Sequence, residues 1–169
     1  GITKDPARLH ENHGGWYYEQ QALGYNYRLS DMQAALGLSQ LQRAEAGLAR
    51  RQAIADAYDA AFAEVPGLVL PPRPAQGQHA WHLYPIQVPD AEVRLGLYNH
   101  LRSKQILAQV HYIPLHYMPN FQPYAPDSGT LLNAETYYAG CLSLPMFPAL
   151  TEAQQRYVVQ EVRAYLVEA

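Results

Sequence analysis

The segment LGYNYRLSDMQAALGLSQL, from Leu23 to Leu41, decides the fold of this chain. A polar turn leads into a helix start, where Ser30 is a candidate N-cap, Gln33 completes a capping box and Asp31 places negative charge in the first turn. Apolar residues then recur at helical spacing. The sequence predicts a helix over 30–65 that, if unbroken, is about 50 Å long. A helix of this length is typical of a connection between two bodies.

The rest of the chain divides around this helix. Residues 1–29 lack periodicity and read as a looped lead-in, and the proline-rich residues 66–80 read as a linker. Residues 81–169 form the predicted compact domain, with strands over 81–88, 106–112 and 141–144 and helices over 91–104, over 132–139 and from Thr151. The predicted fold class is therefore α/β: a long connecting helix followed by an α+β small domain, in which a small mixed sheet is flanked by helices.

Composition excludes several classes of protein. The chain has 169 residues, a formal charge of −3 and no basic run, which argues against a nucleic-acid surface. No stretch reaches the roughly 18 apolar residues of a membrane span, and no signal peptide is recognisable, so we expect a soluble, cytoplasmic protein that does not bind membranes. The single cysteine, Cys141, is expected to be a small buried residue.

Most familiar catalytic motifs are missing. The sequence contains no P-loop, GxGxxG or GxSxG motif. His79 and His82 point to opposite faces of a strand, which disfavours a zinc site, and no other metal site is predicted. Ser143 in an apolar strand is interpreted as a packed hydroxyl, and helical acids such as Asp59 and Glu161 as solvated.

Two places remain as candidate sites. Asn26 and Arg28, just ahead of a helix N-terminus, suit a phosphate or carboxylate, although a turn conformation for Asn26 and simple exposure of Arg28 explain them about as well. His111 and His116 flank the point where a predicted strand enters the long loop 113–129. A structural role and a site role both stay open for these histidines.

Four ordered blocks carry a resemblance to a known family. They are GYNYRLSDMQAALGLSQL, HLYPI at residues 82–86, AQVHYIPLH at 108–116 and LSLPMFPALT at 142–151. In this order they resemble the C-terminal portion of the DegT/DnrJ/EryC1/StrS family, which are fold-type I, pyridoxal-phosphate-dependent nucleotide-sugar aminotransferases. Within the family, GITK at the start, WYYEQQALGYNYR and AQVHYIPLH are most similar to the branch of pseudaminic acid biosynthesis.

The resemblance implies roles for individual residues. Asn26 matches an asparagine that reaches the cofactor phosphate in the other subunit of a homodimer, and Arg28 matches an arginine near that site. Tyr27, His111, Tyr112 and His116 match residues that border the substrate. The implied reaction transfers an amino group from glutamate to a UDP-linked 4-keto-6-deoxy-N-acetyl sugar, and the alternative substrates are dTDP- or GDP-linked keto sugars.

One departure from the family is large. The lysine that forms the Schiff base lies upstream, in a large domain, and neither Lys4 nor Lys104 matches its motif. No catalytic residue is therefore predicted in this chain, because amino transfer needs that lysine. The resemblance implies the end of the large domain (1–29), the connecting helix (30–65), a linker (66–80) and the small domain (81–169). A non-catalytic dimerisation or binding module is the remaining alternative.

Overall fold

The structure is a computed structural model that describes residues 1–11, 13–126 and 130–167. The chain forms two compact units, Gly1–Gln42 and Arg43–Ala169. The boundary between the two units falls inside the predicted connecting helix. The functional division into arm, connecting helix, linker and small domain therefore stays a prediction.

The first unit is built from a short ladder and one helix. Strands β1 (Ile2–Thr3) and β2 (Glu19–Gln20) pair antiparallel, with Ile2 opposite Gln20. Helix α1 (Asp31–Leu41) begins at the predicted cap, since the Gln33 N–H donates to Ser30 Oγ at 3.4 Å and the Ser30 N–H donates to Gln33 Oε1 at 2.9 Å. The capping box predicted from the sequence is therefore confirmed.

The helix does not continue without a break. Helix α1 ends at Leu41 and α2 (Ala44–Phe62) begins after a turn at Gln42 and Arg43, where the Arg43 ψ of 0° leaves the helical range. The predicted helix over 30–65 is therefore divided into two helices. Packing of an apolar face supplies most helix stability, and the two halves differ in this respect. Ile54, Tyr58 and Phe62 of α2 are buried, whereas no residue of α1 is.

The second unit is a small mixed α/β domain. After α2 come β3 (Tyr84–Gln87), α3 (Ala91–Ser103), two 3-10 turns (Leu115–Tyr117 and Gln122–Tyr124), α4 (Leu132–Gly140), β4 (Cys141–Leu144) and α5 (Glu152–Val167). Strands β3 and β4 are antiparallel, with Tyr84 opposite Leu144. Isolated bridges join Val69 to Gln87 and Gln109 to Ser143. The predicted fold class is confirmed.

The predicted strand over 106–112 is wrong in extent. This segment meets β4 only at Gln109, whose N–H and C=O bond Ser143 at 3.1 and 2.7 Å. Two residues earlier in the segment, this antiparallel register places Leu107 opposite Pro145, which has no N–H to donate. The ladder therefore cannot extend towards Leu107, and the segment contributes a single bridge.

The core of the second unit lies between the sheet and the helices. Its largest fully buried side chains are Trp81, Tyr58, Tyr84, Phe62 and Ile54. The apolar face predicted for α5 is confirmed, because Val158 and Val162 are buried. Asp90 caps α3 as predicted, by accepting from the Glu92 and Val93 N–H groups at 2.9 Å.

Two acidic residues interpreted as solvated have structural roles. Glu161 is only 6% exposed, and its Oε2 lies 3.0 Å from His100 Nε2 and 3.4 Å from Lys104 Nζ. Asp59 accepts from the Tyr84 hydroxyl and pairs with Arg73. The sequence-based interpretation is wrong for Glu161, whose carboxylate is buried against His100 and Lys104. The Asp59 side chain stays 29% exposed. In the described part of the chain, the helices are too short or too polar to cross a membrane.

Candidate functional site

In the first unit, the residues predicted to bind a cofactor lie together. Asn26, Tyr27 and Arg28 are exposed and line one cavity of about 410 Å³, whose remaining lining residues are Gly1, Ile2, Gln20, Gly24 and Tyr25. The rings of Tyr25 and Tyr27 stack, with centroids 5.3 Å apart and planes 20° apart. The structure thus brings Asn26 and Arg28 to the same surface, on the chain that leads into α1.

The donors on this surface suit an anion. Asn26 offers an amide and Arg28 a guanidinium fork, which is the geometry that matches phosphate or carboxylate oxygens. No ion pair occupies Arg28 within the described residues, so its donors are available to a ligand. These residues therefore fit the phosphate group of the cofactor that the sequence predicts.

Glu19 anchors the lead-in that carries this surface. Its carboxylate accepts from the backbone N–H groups of His10 at 2.8 Å and Glu11 at 3.0 Å, and from the Tyr17 hydroxyl at 3.1 Å. Burial by itself raises the pKa of Glu19, but hydrogen bonds from the backbone N–H groups of Glu11 and His10 and from the side chains of His10 and Gln21 outweigh it and lower the pKa to about 2. Glu19 was not predictable from the sequence, because its backbone partners lie eight and nine residues away in a segment without periodicity.

In the second unit, His111 is held at the edge of the sheet. The ring is half-buried, and its Nδ1 lies 2.9 Å from Ser143 Oγ. Tyr112 is 71% exposed, and its ring packs edge-on against His111 with centroids 4.7 Å apart. The Ser143 hydroxyl, predicted only to pack in an apolar strand, therefore also hydrogen-bonds the His111 ring.

His116 lies on the first 3-10 turn and also has a partner. Its Nε2 is 2.9 Å from Glu135 Oε1 of α4, and the two side chains are 14% and 28% exposed. The sequence analysis identified His116 but missed Glu135, which comes 19 residues later. The only available signal was an acid in the first turn of a helix, which by itself is common.

The remaining reactive groups are held in structural contacts. Burial raises the pKa of the Cys141 thiol, which is 1% exposed as predicted. Lys104 is paired with the buried Glu161, and Lys4 lies on the surface of the first unit. Within residues 1–11, 13–126 and 130–167, no three His, Cys, Asp or Glu side chains are grouped as metal ligands.

Comparison with known proteins decides the family. The model of the DegT/DnrJ/EryC1/StrS aminotransferase family matches residues 2–163. The chain belongs to this family. Among curated relatives of this aminotransferase family, the spore coat polysaccharide biosynthesis protein SpsC of Bacillus subtilis is 36% identical over 96% of this chain and 43% of its own length. The dTDP-3-amino-3,4,6-trideoxy-alpha-D-glucose transaminase of Streptomyces venezuelae is 33% identical over 97% of this chain and 44% of its own.

Solved structures show the same fold. DesV of S. venezuelae matches with a TM-score of 0.83 and 30% identity, over 94% of this chain and 42% of that chain. Helicobacter pylori PseC, an aminotransferase involved in the biosynthesis of pseudoaminic acid, matches with a TM-score of 0.77 and 27% identity, over 94% and 43%. The chain thus spans less than half the length of these relatives. Aminotransferases of the family depend on pyridoxal phosphate or its amino form.

Proposed function

We propose that this chain is the C-terminal portion of a pyridoxal-phosphate-dependent aminotransferase that acts on a nucleotide-linked keto sugar. The observation that carries the proposal is the family match over residues 2–163, which includes both candidate sites. The proposed amino donor is glutamate, the proposed substrate is a UDP-linked 4-keto-6-deoxy-N-acetyl sugar of the pseudaminic acid type, and the proposed location is the cytoplasm. The similarity to PseC, an aminotransferase involved in the biosynthesis of pseudoaminic acid, supports the pseudaminic acid type.

The proposed roles follow from the chemistry of the side chains. The Asn26 amide and the Arg28 guanidinium bind the cofactor phosphate, while Tyr27, His111, Tyr112 and His116 contact the substrate. When bound, pyridoxal phosphate supplies the electron sink for amino transfer. The family resemblance implies that the lysine that carries it lies in an upstream large domain. In this chain Lys104 pairs with Glu161, and Lys4 matches no family motif.

A second copy of the chain is the proposed partner. Several large apolar side chains of the first unit are each at least 62% exposed. They include Leu23, Leu29, Met32, Leu36, Leu38 and Leu41. An apolar surface of this kind favours association. We propose a homodimer in which Asn26 and Arg28 of one copy complete the cofactor site of the other. Sedimentation at increasing concentration tests this, and a monomer at every concentration would contradict it.

A dTDP-linked keto sugar is the alternative substrate, favoured by the 33% identity to the S. venezuelae transaminase. The test is a chimaera in which residues 1–169 replace the matching portion of SpsC. We expect this chimaera to aminate the UDP-linked 4-keto sugar with glutamate, and to lose cofactor when Asn26→Ala and Arg28→Ala are combined. Faster turnover of a dTDP-linked keto sugar would establish the alternative. A folded chimaera that binds no cofactor would instead indicate a non-catalytic module.

A further inference from the structure

Two imidazoles of the second unit each have one ring nitrogen engaged and the other unengaged. His111 Nδ1 lies 2.9 Å from Ser143 Oγ, and His116 Nε2 lies 2.9 Å from Glu135 Oε1. Among the residues that the structure describes, His111 Nε2 and His116 Nδ1 have no hydrogen-bond partner. The two rings therefore present opposite nitrogens to a ligand.

The Ser143 hydroxyl acts as the donor towards His111. Ser143 is 5% exposed in β4, and its backbone N–H and C=O are already bonded to Gln109. Within the described chain, its hydroxyl has no hydrogen-bond partner besides His111. If the hydroxyl accepted from Nδ1, its own hydrogen would be buried without an acceptor, which is unfavourable. The neutral His111 ring consequently carries its hydrogen on Nε2 and presents an N–H donor.

Glu135 assigns the opposite role to His116. An ionised carboxylate only accepts hydrogen bonds, so the hydrogen between the two groups belongs to His116 Nε2. In the neutral ring, Nδ1 is then an acceptor. Glu135 is itself fixed in the first turn of α4, where its N–H donates to the Leu131 carbonyl at 3.1 Å. The ring orientation of His116 is thus set by a helix backbone.

We propose that Ser143 and Glu135 are positioning residues that make His111 a donor and His116 an acceptor for the sugar part of the substrate. This rests on the proposed function, in which both imidazoles contact the substrate. A diphosphate offers only acceptors and has no use for the His116 acceptor, whereas a sugar hydroxyl both donates and accepts. The His116 acceptor is therefore the group that favours a hydroxyl-bearing sugar over a diphosphate.

The tautomers are measured first, by long-range ¹H–¹⁵N NMR of the 169-residue chain at a pH where the imidazoles are neutral. We expect the Nε2–H tautomer for both rings. Ser143→Ala gives mixed tautomers at His111, Ser143→Thr restores the wild-type form, and the control Ser103→Ala, which removes an exposed hydroxyl, changes neither ring. Circular dichroism confirms that each variant is folded. The Nδ1–H tautomer at wild-type His111, or an unchanged His111 in folded Ser143→Ala, would overturn the proposal.

The second arm titrates the chain with UDP-N-acetylglucosamine and, separately, with UDP. We expect only the sugar-bearing ligand to shift the signals of His111 and His116, and Ser143→Ala or Glu135→Ala to weaken its binding by about fivefold to tenfold. Equal shifts with UDP would overturn the sugar assignment. If the tautomers are as expected but neither ligand moves either ring, the sugar assignment fails while the positioning of the rings by Ser143 and Glu135 stands, and the proposed function is judged separately by the SpsC chimaera.

Discussion

Gly140 lies where α4 ends against the sheet, and its replacement by alanine tests the packing of the second unit. A Cβ at this position would lie 2.2 Å from the Val88 carbonyl oxygen and 3.4 Å from the Val88 nitrogen. Those atoms belong to the backbone and cannot rotate away. The Gly140 carbonyl also accepts from the Val88 N–H at 3.0 Å, so any displacement strains this hydrogen bond.

The expected change in the free energy of unfolding combines two costs and one gain. Overpacking costs about 1–3 kcal/mol, weakening the Val88 hydrogen bond costs about 1 kcal/mol, and the higher helix propensity of alanine returns up to about 1 kcal/mol. We therefore expect Gly140→Ala to lower the free energy of unfolding by about 1–3 kcal/mol.

Gly47→Ala in α2 is the matched control. Its Cβ would meet only Pro148 Cγ, at 3.7 Å, which is an ordinary contact. The gain in helix propensity then dominates, and we expect the free energy of unfolding to rise by up to about 1 kcal/mol. Urea unfolding followed by circular dichroism compares both variants with the wild type. A Gly140→Ala variant as stable as the wild type would refute the packing described for α4.

Two further predictions concern the carbonyl contacts of Arg51 and the hydrogen bonds of Glu19. Arg51 Nη1 donates to the carbonyls of Trp81, His82 and Met146 at 3.0, 3.3 and 3.0 Å, whereas Arg50 donates to one carbonyl. Arg51→Lys is expected to lower the free energy of unfolding by about 1–3 kcal/mol and Arg50→Lys by less. Equal urea midpoints for the two variants would count against this difference. Because the pKa of Glu19 is lowered to about 2 from an ordinary 4.5, its contribution is complete above about pH 4.5 and is lost as the pH falls through about 2. The NMR amide shifts of His10 and Glu11 should report that transition, and Glu19→Gln should abolish it; a midpoint near pH 4.5 in the wild type would contradict the hydrogen bonding described.

Features set by neighbouring residues were predictable from the sequence. The capping box at Ser30, the Asp90 cap and the apolar face of α5 depend on positions within one helix, where spacing determines which side chains meet. The interruption of the strand before Gln109 was not predictable, because it depends on the register that places Leu107 opposite Pro145. Sequence spacing does not give that register.

The candidate sites show the same distinction. Asn26 and Arg28 are two residues apart on the irregular segment before α1, so the sequence alone placed them together. Ser143 and Glu135 were missed because they meet the histidines across 32 and 19 residues of chain. Only the fold brings these pairs into contact. The burial of Glu161 likewise depends on α3 packing against α5, which carries His100 and Lys104 to it.

We propose that this chain supplies cofactor and substrate contacts but takes its reactive lysine from an upstream domain. The most direct measurement is amino transfer by the purified 169-residue chain with pyridoxal phosphate, glutamate and the UDP-linked keto sugar, beside the SpsC chimaera under the same conditions. We expect no turnover by the chain alone and turnover by the chimaera. Turnover by the chain alone would contradict the account.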